Sequence, residues 1–486
     1  IEEAMQQSQS AFEQFRLQPL NSRATFMRAI ATGLEKRKED LIQIATEETA
    51  LEAARLKTEL VRTIYQLTTY ADACESGNWM EVRIDTPTKS QPHDLRKMLV
   101  PLGPVVVFGA SNFPFAYSTA GGDTACALAA GCSVVVKAHP AHAQTSQLVA
   151  DIINAAVIEC NLPEDIFIHL HGASFEVGKA LVQYPITKAV GFTGSLQGGR
   201  ALFDLAAQRA VPIPVFAEMG SVNPVFILLQ KLKNEAEKIA EMYAQSITQS
   251  AGQFCTSPGI IVAIKSNALE VFKQTLAQQL LQTAPVKMLH NGIVKAFHTG
   301  RTKALESKGV ELLTPAKKWD EALSLPTLAQ TSGEHFIQNP LLHAEVFGPY
   351  CLLVECNDEN EMLQVAKSLE GQLTTSLMAT EEEARVNQQL IEALQNICGR
   401  LILNGVPTGV QVALAMHHGG PYPATTDGRF TAVGADGIKR FARPVCYQNW
   451  SNSFLPDALK NENSLDIWRT VNNNLTKEAI APTFKN

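Results

Sequence analysis

The sequence predicts an α/β fold in which helices pack on both faces of a largely parallel sheet. Short, continuous apolar runs at 105–110, 134–137 and 166–170 are typical of strands buried on both faces. Segments with apolar residues at helical spacing separate these runs. The repeated order of strand, helix and strand joins parallel strands, and ligands bind such sheets at the carboxyl ends of the strands.

The overall composition is that of a globular chain of two or three domains. The chain has 486 residues, of which 45% are apolar and 18% charged, and a net charge of -7 gives no sign of a nucleic-acid surface. Nine cysteines without a Cys-x-x-Cys pair predict reduced thiols and a cytoplasmic location. No apolar run has the length of a membrane span, and the N-terminus has no signal-like core. Because Ile1 is not a methionine, we expect that further residues preceded it.

The N-terminal part is predicted to be helical, with apolar stripes at 11–17, 26–44 and 51–74. Two alternating segments follow at 79–84 and 96–100, and the polar stretch between them contains Pro87 and Pro92. We expect these two segments to form a hairpin that leaves the domain and returns to it.

Strands and helices alternate from Pro104 onward. The first region is predicted to have strands at 105–110, 134–137, 166–170 and 189–192, and helices at 123–130, 142–160 and 196–208. A second α/β region starts near Asn223, with a helix at 234–250 and strands at 224–229, 259–264, 350–355, 374–378 and 400–404. The tail after Pro444 is polar.

Cys255 lies on the short loop 252–256, between a predicted helix and a predicted strand. Such a loop holds a thiol both exposed and rigid. Neighbouring backbone N–H groups are expected to lower the thiol pKa and to bind an oxyanion. The other eight cysteines are expected to be mostly inert and buried.

Several short motifs follow one another along about three hundred residues. They read Ser-Asn-Phe-Pro at 111–114, Phe-Thr-Gly-Ser-Leu-Gln-Gly-Gly at 192–199, Ala-Glu-Met-Gly-Ser-Val-Asn-Pro at 217–224, Gly-Gln-Phe-Cys at 252–255, Glu-Val-Phe-Gly-Pro at 345–349 and Gly-Arg-Leu-Ile-Leu-Asn at 399–404. In this order they resemble the aldehyde dehydrogenase superfamily over residues 4–444. Two local patterns, Phe-Gly-Ala-Ser-Asn-Phe-Pro at 108–114 and His-Gly-Gly-Pro-Tyr-Pro at 418–423, resemble one branch of it. That branch contains 2,5-dioxopentanoate (α-ketoglutarate semialdehyde) dehydrogenases and NADP-linked fatty aldehyde dehydrogenases.

The resemblance implies a reaction and three catalytic residues. Cys255 attacks the aldehyde carbon, and the Asn112 amide and the Cys255 N–H hold the oxyanion. Loss of a hydride to the nicotinamide leaves a thioester on Cys255, and Glu218 is the general base for its hydrolysis. Without the resemblance, the preferred interpretation is that Asn112 is a turn residue and Glu218 a solvated or ion-paired carboxylate.

The resemblance also implies cofactor contacts. Gly194 and Gly199 form a turn that lets a helix N-terminus approach the pyrophosphate, and Ser195 donates to a phosphate oxygen. Lys137 reaches the adenosine ribose, Glu345 reaches the nicotinamide ribose, and Phe347 belongs to the same cofactor-binding motif.

Cofactor choice is predicted from residues 137–140. NAD-using relatives often have a glutamate three residues after the lysine, whereas this chain has Pro140 there. No carboxylate therefore repels a 2′-phosphate, and Lys137 together with His139 favours it, although His139 is as readily a plain loop residue. The expected cofactor is NADP, with NAD as the alternative.

The remaining histidine motifs carry no metal prediction. His169 and His171 would share one strand face, but no third ligand is evident, so we interpret them as structural. His418 is a candidate active-site residue, because C-terminal loops of the family return to the catalytic cleft.

The implied fold is aldehyde dehydrogenase-like, with a Rossmann-type cofactor domain, an α/β catalytic domain and a small β oligomerisation hairpin. The predicted segments are an NAD(P)-binding domain at 1–78 and 101–221, a catalytic domain at 222–404, an oligomerisation arm and tail at 79–100 and 444–486, and a return segment near the active site at 405–443. The implied partners are a small aldehyde and a second copy of the chain, in a homodimer or a dimer of dimers, with neither nucleic acid nor membrane.

Four functions compete at this point. The first is NAD(P)-dependent oxidation of an aldehyde to a carboxylate, of 2,5-dioxopentanoate or, alternatively, of a medium- or long-chain fatty aldehyde. The second is a coenzyme A-acylating relative, against which Glu218 argues. The third is a cysteine hydrolase and the fourth a non-catalytic structural relative. The sequence does not identify the aldehyde.

Overall fold

The structure is a computed structural model that describes residues 1–314 and 323–481. Residues 315–322 of the predicted catalytic domain and 482–486 of the predicted tail lie outside the described residues. The helices are α1 Glu2–Phe15, α2 Leu20–Lys36, α3 Lys38–Thr49, α4 Ala53–Ser76, α5 Gly122–Ala130, α6 Ala143–Glu159, α7 Phe175–Gln183, α8 Leu196–Ala207, α9 Leu229–Thr248, α10 Asn267–Gln282, α11 Asn291–Leu305, α12 Gly333–Gln338, α13 Glu359–Ser368, α14 Glu381–Val386 and α15 Gln388–Asn396. The strands are β1 Arg83–Asp85, β2 Leu95–Pro101, β3 Val105–Phe108, β4 Val134–Lys137, β5 Phe167–Leu170, β6 Ala189–Thr193, β7 Val215–Glu218, β8 Val225–Ile227, β9 Ile260–Ile264, β10 Val286–Lys287, β11 Glu311–Leu312, β12 Leu323–Ser324, β13 Thr327–Ser332, β14 Tyr350–Cys356, β15 Gln372–Met378, β16 Cys398–Leu403, β17 Ala442–Gln448, β18 Arg469–Val471 and β19 Asn474–Thr476.

The first sheet is parallel throughout, with strand order β5-β4-β3-β6-β7. Val105 and Val107 pack into the core on one face, and Val106 packs into the core on the other. Burial on both faces explains why β3 is a continuous apolar run rather than an alternating one. The carboxyl ends of β3, β6 and β7 lead to the motifs that contain Asn112, Gly194 and Glu218, which therefore lie at one edge of the sheet.

The second sheet has the order β11-β13-β14-β9-β8-β15-β16, and β11 pairs antiparallel to β13. Its five predicted strands are present, at bounds within two residues of those expected. Strand β13 was not predicted, because it reads Thr-Leu-Ala-Gln-Thr-Ser and is mostly polar. It is nevertheless largely buried, and it pairs along its whole length with the apolar β14.

The third sheet joins the predicted arm to the tail, in the order β17-β2-β1-β18-β19. The predicted hairpin is confirmed, because β1 and β2 pair antiparallel. The sheet extends slightly past the predicted segments, to Pro101 in β2 and back to Ala442 in β17. The division of the chain into domains stays a prediction.

Three predicted elements differ from the structure. The single helix predicted over 26–44 is two helices, α2 and α3, because Arg37 between them has a non-helical backbone (φ -105°, ψ 18°). The strand predicted at 79–84 begins only at Arg83, because a 3-10 turn over Asn78–Met80 and a left-handed Glu81, with φ 47°, precede it. The helix predicted from 234 matches the part of α9 that follows a kink at Glu235 (φ -141°), and a further helical segment, from Leu229, precedes the kink. The first turn of α9 is capped by a residue remote in the sequence, because the Glu383 carboxylate accepts hydrogen bonds from the N–H groups of Gln230 and Lys231. In the described part of the chain, none of the helices has both the length and the apolar character of a membrane span.

Candidate active site

The loop around Cys255 is held rigid by its backbone. Gly252 has a φ of 64°, and a Cβ there would lie 2.4 Å from the carbonyl of Gly348, so only glycine fits. The Asn223 side-chain amide donates to the carbonyl oxygens of Cys255 and Ser257, each at 2.9 Å. Cys255 itself is half-buried, and not exposed as predicted.

A histidine and a carboxylate lie beside the thiol. The Cys255 Sγ is 3.7 Å from the His418 Nε2, and the same nitrogen is 3.1 Å from the Glu218 Oε1. His418 is 1% exposed and Glu218 is 4% exposed. The second carboxylate oxygen of Glu218, Oε2, has no hydrogen-bond partner among the described residues. We name these three residues the Cys–His–Glu cluster.

The segment after β16 brings His418 to this place through backbone contacts. Gly420 packs so closely on β15 that a Cβ would lie 2.1 Å from the Gln372 carbonyl oxygen. Further along, the Met219 N–H donates to the Ala424 carbonyl at 2.8 Å, and Glu218 forms a bridge with Thr425. The segment is thus attached to both sheets, which fixes the position of His418 beside the nucleophile loop.

The thiol pKa is shifted in the opposite direction to the one expected. Burial raises the pKa of Cys255 well above its usual value, and the Glu218 carboxylate raises it further. The prediction of a lowered pKa is therefore wrong. The loop amides do not compensate for a buried sulfur beside a negative charge, so a base has to remove the thiol proton before attack.

Asn112 follows β3 and lines the same cavity as Cys255. Its side-chain Nδ2 donates to the Gln253 carbonyl at 3.2 Å, which fixes the amide relative to the nucleophile loop. An amide has two N–H bonds, so one remains for an oxyanion formed at Cys255.

That cavity has a volume of about 500 Å³ and is shaped by the predicted phosphate turn. The Ser195 Oγ caps α8 by accepting from the Gly198 N–H at 3.1 Å, and the N-terminus of α8 is a site for anions. Of the predicted cofactor residues, His139, Gly194, Ser195, Glu345 and Phe347 line the cavity.

Three predicted cofactor residues are not part of the cavity lining. Lys137 and Pro140 lie at the end of β4 and in the loop that follows it. Gly199 lies inside α8, where a Cβ would be 2.6 Å from the Met219 side chain. Because Gly199 has no side chain, α8 packs closely against Met219, the residue that follows Glu218.

His139 is a neutral loop residue. Burial and the neighbouring His142, His290 and Lys137 lower its pKa to about 3, and its Nδ1 accepts the Ala141 N–H at 3.1 Å. The suggestion that His139 adds positive charge beside a 2′-phosphate is therefore wrong for the free protein, and Lys137 is the cation of this loop.

A second cavity, of about 640 Å³, also reaches Cys255 and contains two arginines that the sequence analysis missed. The Arg55 guanidinium lies between the rings of Phe113 and Phe254, at 5.0 and 4.9 Å. Arg62 lies over the Tyr117 ring at 5.3 Å. The sequence signal was the spacing of these two cations, seven residues apart on one face of the amphipathic α4.

The histidine pair on β5 has ordinary hydrogen-bond partners. His169 bonds to Ser146 at 2.7 Å and His171 to Gln147 at 2.8 Å, as the structural interpretation expects. Across 1–314 and 323–481, the one group of three side chains with metal-ligand atoms close together is the Cys–His–Glu cluster.

Comparisons with known proteins identify the family. The sequence model of the aldehyde dehydrogenase family matches residues 1–441. The α-ketoglutaric semialdehyde dehydrogenase 2 of Azospirillum brasilense is 43% identical over 474 residues, which cover 96% of this chain and 90% of that protein. The α-ketoglutaric semialdehyde dehydrogenase of Acinetobacter baylyi is 41% identical, over 98% of this chain and 91% of that protein.

Solved structures share the fold at low identity. The glyceraldehyde-3-phosphate dehydrogenase of Methanocaldococcus jannaschii, complexed with NADP, superposes with a TM-score of 0.78 at 21% identity, covering 92% of this chain and 93% of that one. A mutant form of the 1-pyrroline-5-carboxylate dehydrogenase of Thermus thermophilus gives 0.79 at 20% identity, over 92% and 85% of the two chains.

Proposed function

The chain belongs to the aldehyde dehydrogenase family and is an aldehyde-oxidising oxidoreductase, and we propose that its substrate is 2,5-dioxopentanoate, which it converts to 2-oxoglutarate. The observation that carries the proposal is the arginine-containing cavity beside Cys255. The relatives named for α-ketoglutaric semialdehyde support it as well, because this name denotes the same compound. Family membership argues against the cysteine hydrolase.

The cavity lining contains two glutamates, Glu52 and Glu59, and two arginines, and the arginines favour an acidic substrate. Within the described residues, neither Arg55 nor Arg62 has a carboxylate within 4 Å, and the Arg62 Nη1 has no hydrogen-bond partner. The nearby Glu59 carboxylate instead accepts the backbone N–H groups of Phe115 and Ala116. A carboxylate at one end of the substrate pairs with these cations while the aldehyde at the other end reaches Cys255. A fatty aldehyde would leave both cations unpaired.

The Cys–His–Glu cluster supports a specific order of proton transfers. In this proposal, His418 carries its ring proton on Nδ1, so its Nε2 takes the Cys255 thiol proton as sulfur attacks the aldehyde carbon, and the new Nε2–H donates to the Glu218 Oε1. Asn112 and the Cys255 N–H hold the oxyanion. The unpartnered Glu218 Oε2 then accepts a proton from the water that hydrolyses the thioester.

The 500 Å³ cavity fits a nicotinamide cofactor, because it extends from Cys255 and Glu345 to the anion-binding N-terminus of α8. When bound there, the oxidised nicotinamide supplies the hydride acceptor for oxidation at Cys255. In this proposal, Glu345 and Phe347 would hold the nicotinamide ribose, and Ser195 would hold the pyrophosphate. Because the acyl group of the thioester is transferred to a water activated by Glu218, and not to a thiol, the product is a free carboxylate.

A comparison of aldehydes tests the substrate. Purified protein is assayed with 2,5-dioxopentanoate, hexanal and decanal, and absorbance of the reduced cofactor gives kcat/KM for each. We expect the highest kcat/KM for 2,5-dioxopentanoate. A higher value for decanal would contradict the proposal and favour the fatty aldehyde alternative.

Arg62→Met tests how the substrate is recognised. A hydrogen bond to a charged group contributes about 1.5–3 kcal/mol, so kcat/KM for 2,5-dioxopentanoate should fall roughly ten- to hundredfold. The value for hexanal, which has no carboxylate, should change less than about threefold. The matched control is Arg37→Met, which removes an exposed arginine from the end of α2. Equal losses for both aldehydes would show that Arg62 acts on the fold and not on the carboxylate.

A further inference from the structure

The Cys–His–Glu cluster has the spacing of a zinc site. Zinc bonds of about 2.3 Å to sulfur and 2.0–2.1 Å to nitrogen or oxygen place tetrahedral ligands roughly 3.3–3.6 Å apart. The observed distances are 3.7 Å from the Cys255 Sγ to the His418 Nε2 and 3.1 Å from that nitrogen to the Glu218 Oε1. All three ligand atoms lie within 4.8 Å of one another, so the Cys255 Sγ and the Glu218 oxygen have to approach by at most about 1.2 Å to bind one tetrahedral ion.

The donor atoms suit zinc rather than calcium or magnesium. A thiolate and an imidazole are ligands for Zn²⁺ and similar transition-metal ions, whereas calcium and magnesium select oxygen atoms. The Glu218 Oε2 is buried and has no hydrogen-bond partner among the described residues. Either oxygen of this carboxylate can therefore bind the ion. Asn223 and Gly252 fix the loop that carries the sulfur, which reduces the entropy lost on binding.

We propose that this cluster binds one Zn²⁺ ion through the Cys255 Sγ, the His418 Nε2 and a Glu218 oxygen, and that binding reversibly inactivates the enzyme. The ion forms a bond to sulfur and displaces the thiol proton to solvent, with no change of oxidation state. Water takes the fourth position. The bound thiolate and carboxylate carry two negative charges, which neutralise the ion beside Arg55 and Arg62.

Two consequences separate this site from a general effect of metal on the protein. Zinc and the aldehyde compete, because both bind the same sulfur. Zinc also protects Cys255 from alkylation while it leaves the exposed Cys446 reactive. Both consequences follow from the cluster alone, and neither depends on which aldehyde the enzyme oxidises.

The test uses the full chain without cofactor. Titration calorimetry with Zn²⁺ should give one site per chain, and Co²⁺ used as a probe should show a thiolate-to-metal charge-transfer band with the spectrum of a tetrahedral ion. Each of Cys255→Ser, His418→Ala and Glu218→Gln should weaken Zn²⁺ binding at least tenfold. The matched controls Cys446→Ser and His169→Ala should bind as the wild type does. Circular dichroism checks that each variant is folded.

Several results would overturn the proposal. They are an affinity that persists in folded Cys255→Ser and His418→Ala, a Co²⁺ spectrum without the charge-transfer band, and a loss of affinity in Cys446→Ser or His169→Ala. Inhibition that a chelator does not reverse would contradict reversible coordination. Zinc inhibition should raise the apparent KM for the aldehyde, and a fall in kcat at unchanged KM would contradict competition for the sulfur.

Discussion

At Cys255, a buried sulfur beside a carboxylate favours the protonated thiol, and we propose that the adjacent His418 supplies the base that attack requires. Arg62 acts in the opposite direction, since its positive charge lowers the thiol pKa, but burial is the larger influence. The resting enzyme therefore keeps its nucleophile protonated. We propose that the thiolate forms only as the aldehyde arrives, which protects the sulfur from oxidation between turnovers.

The raised thiol pKa predicts a steep pH dependence of alkylation. Below its pKa a thiol gains about tenfold more thiolate per pH unit, so alkylation of Cys255 by iodoacetamide should accelerate about tenfold per unit from pH 7 to 9. Mass spectrometry of the labelled peptides gives the rate at Cys255 and, as an internal check on the reagent, at the exposed Cys446. A rate at Cys255 that is constant above pH 7 would contradict the raised pKa.

Glu218→Gln should stop the reaction at the thioester. The amide keeps the size of the carboxylate but cannot accept the proton of the hydrolytic water, so one equivalent of reduced cofactor should form rapidly, followed by slow turnover. Rapid-mixing absorbance measures the burst. The control Cys255→Ala should bind cofactor yet produce neither burst nor turnover. Loss of the burst in Glu218→Gln would mean that the carboxylate charge is required for thiol activation, and not only for hydrolysis of the thioester.

Among the elements, the loop after β4 determines the predicted cofactor preference. Its cation is Lys137, while His139 is neutral and caps the following turn, and Pro140 is exposed at the position where NAD-using relatives often have a glutamate. Burial lowers the pKa of Lys137 from its usual value, which marks its ammonium group as partly desolvated. We propose that NADP is used at least as well as NAD, because no carboxylate in this loop opposes a 2′-phosphate.

Pro140→Glu should shift the preference toward NAD. A carboxylate at this position repels the 2′-phosphate and accepts hydrogen bonds from the ribose of NAD, which changes the ratio of the two kcat/KM values by roughly one to two orders of magnitude. The control Pro140→Gln removes the proline without adding charge and should leave the ratio within about threefold of the wild type. A strong wild-type preference for NAD that Pro140→Glu does not change would mean that the ribose lies elsewhere.

At the scale of the whole molecule, the second sheet ends in an edge strand with exposed apolar residues. Strand β16 is the last strand of the second sheet, and its Leu401 and Leu403 are 40% and 61% exposed. Exposed apolar residues on an edge strand favour pairing with another chain. The third sheet, built from the arm and the tail, supplies the further surface that the resemblance associates with oligomerisation.

We predict that the protein is at least a dimer in solution. Light scattering after size exclusion should give a mass of at least twice the 52.9 kDa of one chain. Leu403→Asp should shift the population toward the monomer, because it places a charge on the exposed edge. Leu17→Asp changes a similarly exposed leucine far from β16 in the sequence and should have no effect. A wild-type mass of one chain would contradict the prediction.

Much of the architecture follows from local sequence patterns. Continuous apolar runs identify parallel strands, and parallel strands bring their carboxyl ends to one edge, so motifs hundreds of residues apart are expected to meet. Cys255, Glu218 and Asn112 were predicted on this basis together with the family resemblance. The polar strand β13 and the early start of α9 were missed, because both depend on partners far away in the sequence.

The sequence by itself determined the fold class and the family, and it predicted the three residues assigned to the chemistry, since all of these depend on residue type, order and periodicity. Only the tertiary structure decided the distances between the side chains of the site and the directions in which their pKa values shift. It brought His418 to within 3.1 Å of Glu218 across 200 residues, and it placed two arginines in the cavity beside Cys255. It also raised the pKa of the Cys255 thiol, which was expected to be lowered, and it left His139 neutral. Burial and distances between side chains remote in the sequence determine these properties, and no local pattern contains them.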